Sequence, residues 1–276
     1  MKIAIVGNND GPLRLVKSLK SSSVEIVFVG LQKEAPPELK KNYAEKLPKI
    51  TAFSDGFDEE KLLKILQKHK FDWLINCFCN FKFTDLLKRY EVLNVHLSPL
   101  PKYRGRHPLH WALINDEKNF GATIHKMDEH FDAGEIYRQV NVKVPKNASV
   151  KELRERLMNA LETDFSQFMD ALSENKISPK PNLDSEASYI PRRYPADSKL
   201  TEWSDPERVV RKVFAMASED FPAFIQFENE KIEVRYAQIL NEKVEGAKAF
   251  RILNQTENEL KIVTQNERVI CFGVKK

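Results

Sequence analysis

Residues 91–106 read EVLNVHLSPLPKYRGR, a short apolar run that leads into a loop rich in proline. The run predicts a β-strand at 92–96, in which side chains two positions apart point to the same face. Asn94 and His96 therefore project together at the carboxyl end of this strand. The prolines and the glycine that follow predict a stiff, bent connection without regular hydrogen bonding. A helix is predicted at 107–115, with Pro108 in its first turn, where proline is tolerated.

A second polar loop, DEHFDAG at residues 128–134, follows a predicted strand and contains Asp132 and Gly134. Gly134 permits a tight turn. A neutral imidazole beside a carboxylate can take a proton from an attacking amine, and an amide NH₂ can donate to an oxygen that gains negative charge. Asn94, His96 and Asp132 therefore suit acyl transfer to an amine. The alternative is structural: a histidine hydrogen-bonded at a strand end and an aspartate in an ordinary turn.

Apolar runs alternate with helical periodicity over the first 150 residues or so. Strands are predicted at 2–6, 24–29, 73–78, 92–96, 122–127 and 136–144, and helices at 12–20, 57–69, 84–88 and 107–115. This alternation predicts an α/β fold with a Rossmann-like, doubly wound, mostly parallel sheet. Such sheets bind ligands beyond the carboxyl ends of their strands. Residues 7–10, 77–80 and 94–96 would all lie there.

The second half of the chain predicts a change of architecture. A long amphipathic helix is expected at 149–173, followed by a polar linker or flap at 174–188. Beyond residue 200, a helix at 206–217 and strand-like runs at 223–227, 231–240 and 261–264 predict a small β-rich domain. The expected division is therefore 1–198 for the catalytic domain and 199–276 for a C-terminal domain, which is a candidate for dimer contacts.

The composition limits the possible classes of protein. The 276 residues are 42% hydrophobic and 30% charged, with a formal net charge of +4, which requires neither nucleic acid nor a membrane as partner. No apolar run approaches the ~18 residues of a membrane span, and the first residues form a strand pattern rather than a signal peptide. Cys77, Cys79 and Cys271 are odd in number, which fits a reducing compartment. A cytoplasmic protein is therefore expected.

Neither a metal nor a dinucleotide is predicted as a ligand. Cys77 and Cys79 have no second cysteine pair, so packing in a strand is their expected role. His107 and His110 share a helix face, but no further ligands accompany them at metal spacing. GNNDG at 7–11 lacks the second glycine of a G-x-G-x-x-G motif, which disfavours a dinucleotide.

Three motifs together resemble the 10-formyltetrahydrofolate-dependent formyltransferases: LNVHLSPLPKYRGRHPLHW at 93–111, GATIHKMD at 121–128 and FDAGEI at 131–136. The resemblance extends over residues 1 to about 197 and implies that Asn94, His96 and Asp132 are catalytic and that 10-formyltetrahydrofolate is the co-substrate. It departs from the family at Ser98-Pro99-Leu100-Pro101, where many members carry Ser-Leu-Leu-Pro, so the peptide isomers there stay open. The folate contacts that it implies are Phe78, Cys79, Asn80, Arg106, Asp128, Glu129, His130, Phe131 and Asp132.

The sequence RGRHP at 104–108 resembles the sugar N-formyltransferases within this family, including the formylating half of the aminoarabinose enzyme. Residues 189–197 are similar to that group's sugar-nucleotide segment, and an arginine pair suits a diphosphate. The resemblance implies a dTDP- or UDP-linked amino sugar as substrate, a homodimer, and a place in surface glycan or O-antigen synthesis. The substrate contacts expected in these motifs are Lys102, Tyr103, Arg104, Gly105, Tyr189, Arg192 and Arg193. Asn8, Asn9 and Asp10, which follow the first strand, are further candidates for contact with the sugar nucleotide.

Two alternatives remain open. One is a methionyl-tRNA formyltransferase with an atypical tail. Residues 201–276 contain 12 Lys and Arg against 13 Asp and Glu, a net charge of −1, whereas a tRNA-binding appendage should be basic. The other is a non-catalytic nucleotide-binding or scaffolding protein, against which the intact Asn94, His96 and Asp132 argue.

Overall fold

The computed structural model describes residues 1–19, 22–33, 37, 41, 53–217, 221–227, 230–247 and 250–275. A seven-stranded sheet with the order β3-β2-β1-β4-β5-β7-β8 dominates the first part of the chain. Its strands are β1 (Lys2–Gly7), β2 (Glu25–Leu31), β3 (Phe53–Asp55), β4 (Trp73–Cys77), β5 (Val92–His96), β7 (Asn119–Lys126) and β8 (Ile136–Lys143). The short strands β6 (Arg104–Gly105) and β9 (Tyr189–Ile190) form a separate pair.

The sheet is mostly parallel, as predicted. The pairs β1–β2, β1–β4, β2–β3 and β4–β5 are parallel, and β5 pairs with β7 in the antiparallel sense. In β1 and β2 every residue after the first is buried, as expected for a parallel sheet covered on both faces. The helices of this part are α1 (Gly11–Ser18), α2 (Glu59–Leu66), α3 (Pro108–Ile114) and α4 (Val150–Ser173).

The prediction of a helix at 84–88 was wrong, because these residues form turns. The Glu59 carboxylate contacts the start of this segment. It accepts hydrogen bonds from the backbone N–H groups of Thr84 and Leu86 and from the Thr84 hydroxyl. A side chain from α2 therefore anchors the backbone at the start of this segment.

The C-terminal part is the small β-rich structure that the sequence predicts. Helix α5 (Pro206–Ala215) precedes five antiparallel strands with the order β10-β11-β14-β13-β12. These strands are β10 (Ala223–Phe227), β11 (Glu230–Lys243), β12 (Arg251–Gln255), β13 (Glu259–Val263) and β14 (Arg268–Lys275). Two short 3₁₀ turns, Asp184–Glu186 and Pro195–Ser198, lie ahead of this part. The sequence analysis did not identify β3, β6, β9, β12 or β14. Of these, β3, β6 and β9 are at most three residues long, and β12 is largely polar.

The described chain divides into two compact units that alternate along the sequence. The first contains residues 1–105, 121–142 and 156–189, and the second contains 106–120, 143–155 and 190–276. The domain boundary at 198/199 therefore stays a prediction. Within the described residues, no helix is both long enough and apolar enough to cross a lipid bilayer.

Candidate active site

Three polar side chains form a row across neighbouring strands of the first unit. The sheet register pairs Asn76 of β4 with Asn94 of β5, and Asn94 with His125 of β7. Side chains at paired positions on one face lie within contact distance. Asn76 Nδ2 donates to Asn94 Oδ1 over 2.8 Å, and Asn94 Nδ2 lies 3.0 Å from His125 Nε2. The register therefore places a candidate catalytic amide between two further polar groups.

His96 ends β5 with its imidazole almost fully buried. Its Nε2 lies 3.1 Å from the carbonyl oxygen of Tyr103. Because a carbonyl only accepts hydrogen bonds, Nε2 carries the proton and donates it, and the basic nitrogen of the neutral ring is Nδ1. That nitrogen lies 3.5 Å from Asp132 Oδ1. A proton taken up by Nδ1 would therefore face a carboxylate.

Asp132 lies between two imidazoles. Its Oδ1 is 3.5 Å from both His96 Nδ1 and His125 Nε2, and its Oδ2 accepts the Gly105 N–H over 2.9 Å. Burial would raise the pKa of Asp132, but His125, the charge on a protonated His96 and the Gly105 N–H outweigh burial and lower that pKa to about 2. The carboxylate is therefore ionised at neutral pH.

The pKa of His96 is shifted in the direction that a general base needs. Burial lowers the pKa of this imidazole below the ordinary value of 6.5, while Asp132 and the Tyr103 carbonyl oppose the shift. The ring is therefore neutral at pH 7 and free to accept a proton.

The loop that carries Asp132 has a constrained backbone. Asp132 has φ = +54°, in the left-handed region, which a non-glycine residue adopts only when its surroundings impose it. Asn182 Nδ2 donates to the carbonyl oxygens of Asp132 and Gly134, over 2.9 and 3.0 Å. A Cβ at Gly134 would lie 2.0 Å from the Lys126 carbonyl oxygen, so only glycine fits there. These contacts hold the carboxylate in place.

The proline loop is fixed to the sheet by the buried hydroxyl of Thr123. This hydroxyl donates to the Ser98 carbonyl over 2.7 Å and accepts the Leu100 N–H over 3.2 Å. Gln139 Nε2 donates to the Leu100 carbonyl over 2.6 Å. The peptide bond between Leu100 and Pro101 is cis. The anchored backbone of this loop therefore positions the Tyr103 carbonyl next to His96.

A second polar network joins the ends of β1, β2 and β4. Asn8 Nδ2 donates to Gln32 Oε1 over 2.7 Å and to the Phe78 carbonyl over 2.9 Å. The Asn80 N–H donates to the same Gln32 oxygen over 2.9 Å. Burial raises the pKa of the Cys79 thiol, which therefore stays protonated and acts as an apolar group.

Several residues predicted to contact ligands are exposed in the first unit. Phe131 has 63% of its surface exposed, and Lys82 Nζ lies 5.8 Å from the centroid of its ring. Tyr189 is exposed to a similar degree. The other exposed members of the predicted sets in this unit are Asn9, Asn80, Lys102, Asp128, Glu129 and His130.

Arg104 has no exposed surface, and both terminal nitrogens of its guanidinium have internal partners, whereas its buried Nε has none among the described residues. Its guanidinium donates to Asp184 Oδ1 (2.6 Å), to the Tyr189 hydroxyl (2.7 Å) and to both oxygens of Asn182 (2.7 and 2.9 Å). These bonds favour a structural role over direct contact with a substrate.

The predicted arginines of the second unit have different environments. Arg106 and Arg192 are exposed, whereas Arg193 is 5% exposed. Arg193 donates from its guanidinium to Ser198 Oγ and the Phe221 carbonyl, and from its backbone N–H to His107 Nδ1. These partners favour a structural role for Arg193 over pairing with Arg192 on a diphosphate.

The structure adds Asn76, His125 and Asn182 to the predicted site. A signal for two of them exists in the sequence, since Asn76 and His125 are polar residues inside otherwise buried strands. Asn182 lies in the polar linker, where nothing in the sequence distinguishes it. Among the described residues, no group of three or more His, Cys, Asp or Glu is arranged to hold a metal ion.

Comparison with protein families matches residues 1–168 to the model described as formyl transferase. The chain is 29% identical over 204 residues to the bifunctional polymyxin resistance protein ArnA of Wigglesworthia glossinidia brevipalpis. That match covers 72% of this chain and 31% of the relative. The chain therefore spans about a third of the length of this curated relative.

Two solved structures share the fold. The N-formyltransferase from Helicobacter canadensis, in complex with folinic acid and dTDP-3-aminofucose, superposes with a TM-score of 0.75 at 14% identity. All of both chains is covered. HypX from Aquifex aeolicus gives a TM-score of 0.68 at 17% identity, over 98% of this chain and 45% of HypX.

Proposed function

Because the chain belongs to the formyl transferase family, we propose that it moves the formyl group of 10-formyltetrahydrofolate to the free amine of a nucleotide-linked amino sugar. The observation that carries this proposal is the cluster in which Asp132 Oδ1 lies 3.5 Å from His96 Nδ1 and Asn94 extends from the same strand as His96. It contains a neutral base, an ionised partner and an amide donor.

Each group has one task in the reaction. The uncharged sugar amine attacks the formyl carbon and forms a tetrahedral intermediate, and an N–H of Asn94 donates to its oxyanion. His96 Nδ1 accepts the proton that the amine loses, and the Asp132 carboxylate stabilises the resulting imidazolium. The bond from the formyl carbon to folate N10 then breaks, and N10 takes the proton from the His96 imidazolium, which returns the base to its neutral form. The products are an N-formyl sugar and tetrahydrofolate.

The substrate class rests on the relatives. The Helicobacter canadensis structure contains dTDP-3-aminofucose and folinic acid, and a dTDP-linked amino sugar is the corresponding substrate proposed for this chain. A UDP-linked sugar remains within the proposal. By analogy we place the product in surface glycan synthesis, such as the O-antigen of lipopolysaccharide. A cytoplasmic homodimer belongs to the same proposal.

The proposed ligand contacts follow from the resemblance and from exposure. The loop 78–80 after β4 and the loop 128–132 before β8 are proposed to contact the folate. Arg106 and Arg192 keep their proposed roles toward the folate and the sugar nucleotide. Arg104 and Arg193 are proposed to stabilise the fold rather than to contact a ligand, because their guanidinium groups already bind internal partners.

The test is turnover of purified protein with 10-formyltetrahydrofolate and a panel of dTDP- and UDP-linked 3-amino and 4-amino sugars, with the N-formyl product identified by mass spectrometry. We expect His96→Ala to lose about 10²–10⁴ in rate and Asn94→Ala about 10²–10³, while both still bind the sugar nucleotide. Asn254→Ala, an exposed change in β12, is the matched control. Full turnover by both site variants would refute these assignments.

A further inference from the structure

The row Asn76, Asn94 and His125 is anchored at both ends by backbone groups whose polarity is fixed. At one end, the Cys79 N–H donates to Asn76 Oδ1 over 3.0 Å. At the other end, His125 Nδ1 lies 2.8 Å from the Lys126 carbonyl oxygen. A backbone N–H can only donate and a carbonyl can only accept. The direction of every hydrogen bond between them is therefore determined.

The directions follow one after another. Asn76 turns its oxygen toward Cys79, so its Nδ2 faces Asn94 and donates to Oδ1. Asn94 consequently turns its Nδ2 toward His125 Nε2. Since His125 Nδ1 must donate to the Lys126 carbonyl, Nε2 is the acceptor of a neutral ring. Asp132 Oδ1 also faces Nε2, at 3.5 Å, so a proton on Nε2 would have the carboxylate as a partner. That proton would oppose the N–H of Asn94, and relieving the contact would require Asn94 to turn its oxygen toward Nε2. This turn would place two NH₂ groups face to face at Asn76.

This chain of bonds uses one of the two N–H groups on Asn94 Nδ2. The described residues supply no acceptor for the second, and the Asn94 side chain is only partly buried. An amide with one N–H bound and its oxygen occupied has a fixed orientation, so its remaining N–H has a fixed direction. Preorganised donors of this kind cost no reorganisation when charge develops.

We propose that Asn76 is a positioning residue that holds the Asn94 amide in the orientation needed for its free N–H to donate to the oxyanion. This proposal rests on the proposed function. Asn76 itself is 4% exposed and lies in an otherwise apolar strand, where a buried amide is costly unless its bonds are satisfied. To bind the Cys79 N–H, residue 76 needs only an acceptor oxygen. To bind Asn94 Oδ1, it also needs a donor, which the Asn76 amide nitrogen supplies.

Asn76→Asp separates these two tasks. The carboxylate keeps the size of the side chain and still accepts the Cys79 N–H, but it can no longer donate to Asn94. The Asn94 amide should rotate by about half a turn, so that its NH₂ faces the new carboxylate at position 76 and its oxygen faces His125 Nε2. We expect kcat at pH 8 to fall by about 10–10²-fold, part of the value of one oxyanion donor, with KM for the amino sugar within about threefold.

A double-mutant cycle tests whether Asn76 acts through Asn94. In the Asn94→Ala background, Asn76→Asp should cost less than about twofold more in kcat, because the group that it orients is already absent. Asn254→Asp makes the same change at an exposed position in β12 and should leave kcat unchanged. An additive loss in the double variant would overturn the proposal.

The ring of His125 gives a readout that does not depend on turnover. In ¹⁵N spectra of the wild-type protein, the neutral ring of His125 should carry its proton on Nδ1, which faces the Lys126 carbonyl. In Asn76→Asp, the chemical shift of Nε2 should change, because Asn94 then offers an oxygen to Nε2 in place of an N–H. An unchanged Nε2 signal, or a neutral wild-type ring protonated on Nε2, would refute the orientation. If no amino sugar is formylated, the proposed function fails while this measurement still decides the orientation.

A second pair of variants covers the case in which Asn76→Asp does not fold. His125→Gln offers an amide oxygen that can accept the Asn94 N–H, whereas His125→Leu offers no acceptor. We expect His125→Gln to retain about tenfold more kcat than His125→Leu. Equal activities would contradict a fixed Asn94 amide.

Discussion

At the level of single residues, His96 and Asp132 act as one titrating pair. Because burial lowers the pKa of His96 and Asp132 opposes this shift, replacing the carboxylate by an amide should lower the pKa of His96 further. We expect Asp132→Asn to reduce kcat/KM by about 10² and to move the acid limb assigned to His96 to lower pH. Profiles of kcat/KM against pH for both proteins provide the measurement. An acid limb that does not move would contradict the pairing of His96 with Asp132.

The lowered pKa of the buried His110 imidazole makes the stability of the protein depend on pH. Burial lowers the pKa of His110 to about 3, helped by Arg193 and His107, and its buried Nδ1 has no partner among the described residues. The unfolded chain takes up this proton near 6.5, whereas the folded chain resists it until about pH 3. The free energy of unfolding therefore falls as the pH drops between these values, by at most about 1.4 kcal/mol per pH unit from this residue.

His110→Leu should reduce that loss. We expect the difference in unfolding free energy between pH 7 and pH 4.5, measured by urea denaturation, to be smaller in the variant than in the wild type. Comparing the two pH values within each protein removes the effect of altered packing. Equal differences in the two proteins would show that His110 does not take up the proton on unfolding.

At the level of elements, the segment between α4 and β9 supports the loop of Asp132 through Arg104 and Asn182. Arg104→Met removes several charge-assisted hydrogen bonds, each worth roughly 1.5–3 kcal/mol, and we expect it to destabilise the first unit by roughly 2–4 kcal/mol in urea denaturation. Asp184→Asn is the matched control. The Asp184 side chain is 88% exposed, so its ion pair should contribute at most about 1 kcal/mol. Equal losses of unfolding free energy in both variants would contradict the role of Arg104 in supporting the loop of Asp132.

The strands were predictable because each buried strand is a continuous apolar run between polar turns, as in LINC at 74–77. The turns at 84–88 were not, and the Glu59 side chain that anchors the start of this segment comes from a different helix. The motifs and spacing that supply Asn94, His96 and Asp132 indicate the residue types of the site. The row of Asn76, Asn94 and His125 depends on the register between three strands, which no single segment encodes. The internal partners of Arg104 and Arg193 are tertiary contacts of the same kind.

At the level of the whole molecule, the net charge of the C-terminal part distinguishes between two possible acceptors of the formyl group, an amino sugar and tRNA. Residues 201–276 have a net charge of −1, whereas a protein that neutralises several tRNA phosphates needs a basic surface and loses affinity steeply with salt. No observation on this chain favours a tRNA acceptor over an amino sugar.

Ligand binding to the whole chain should report this preference directly. A ligand that binds only the folded state at about 100 times its Kd stabilises it by roughly 2.7 kcal/mol. We expect a dTDP- or UDP-linked amino sugar to raise Tm in a concentration-dependent manner, and the same nucleotide diphosphate without the sugar to raise it less. Initiator tRNA should not produce a salt-sensitive increase in Tm, that is, one present at low salt and lost as salt is added. A salt-sensitive shift with tRNA, together with none from any amino sugar, would replace the sugar acceptor by tRNA while leaving the roles of His96, Asn94 and Asp132 intact, because both reactions attack the same formyl carbon with an amine.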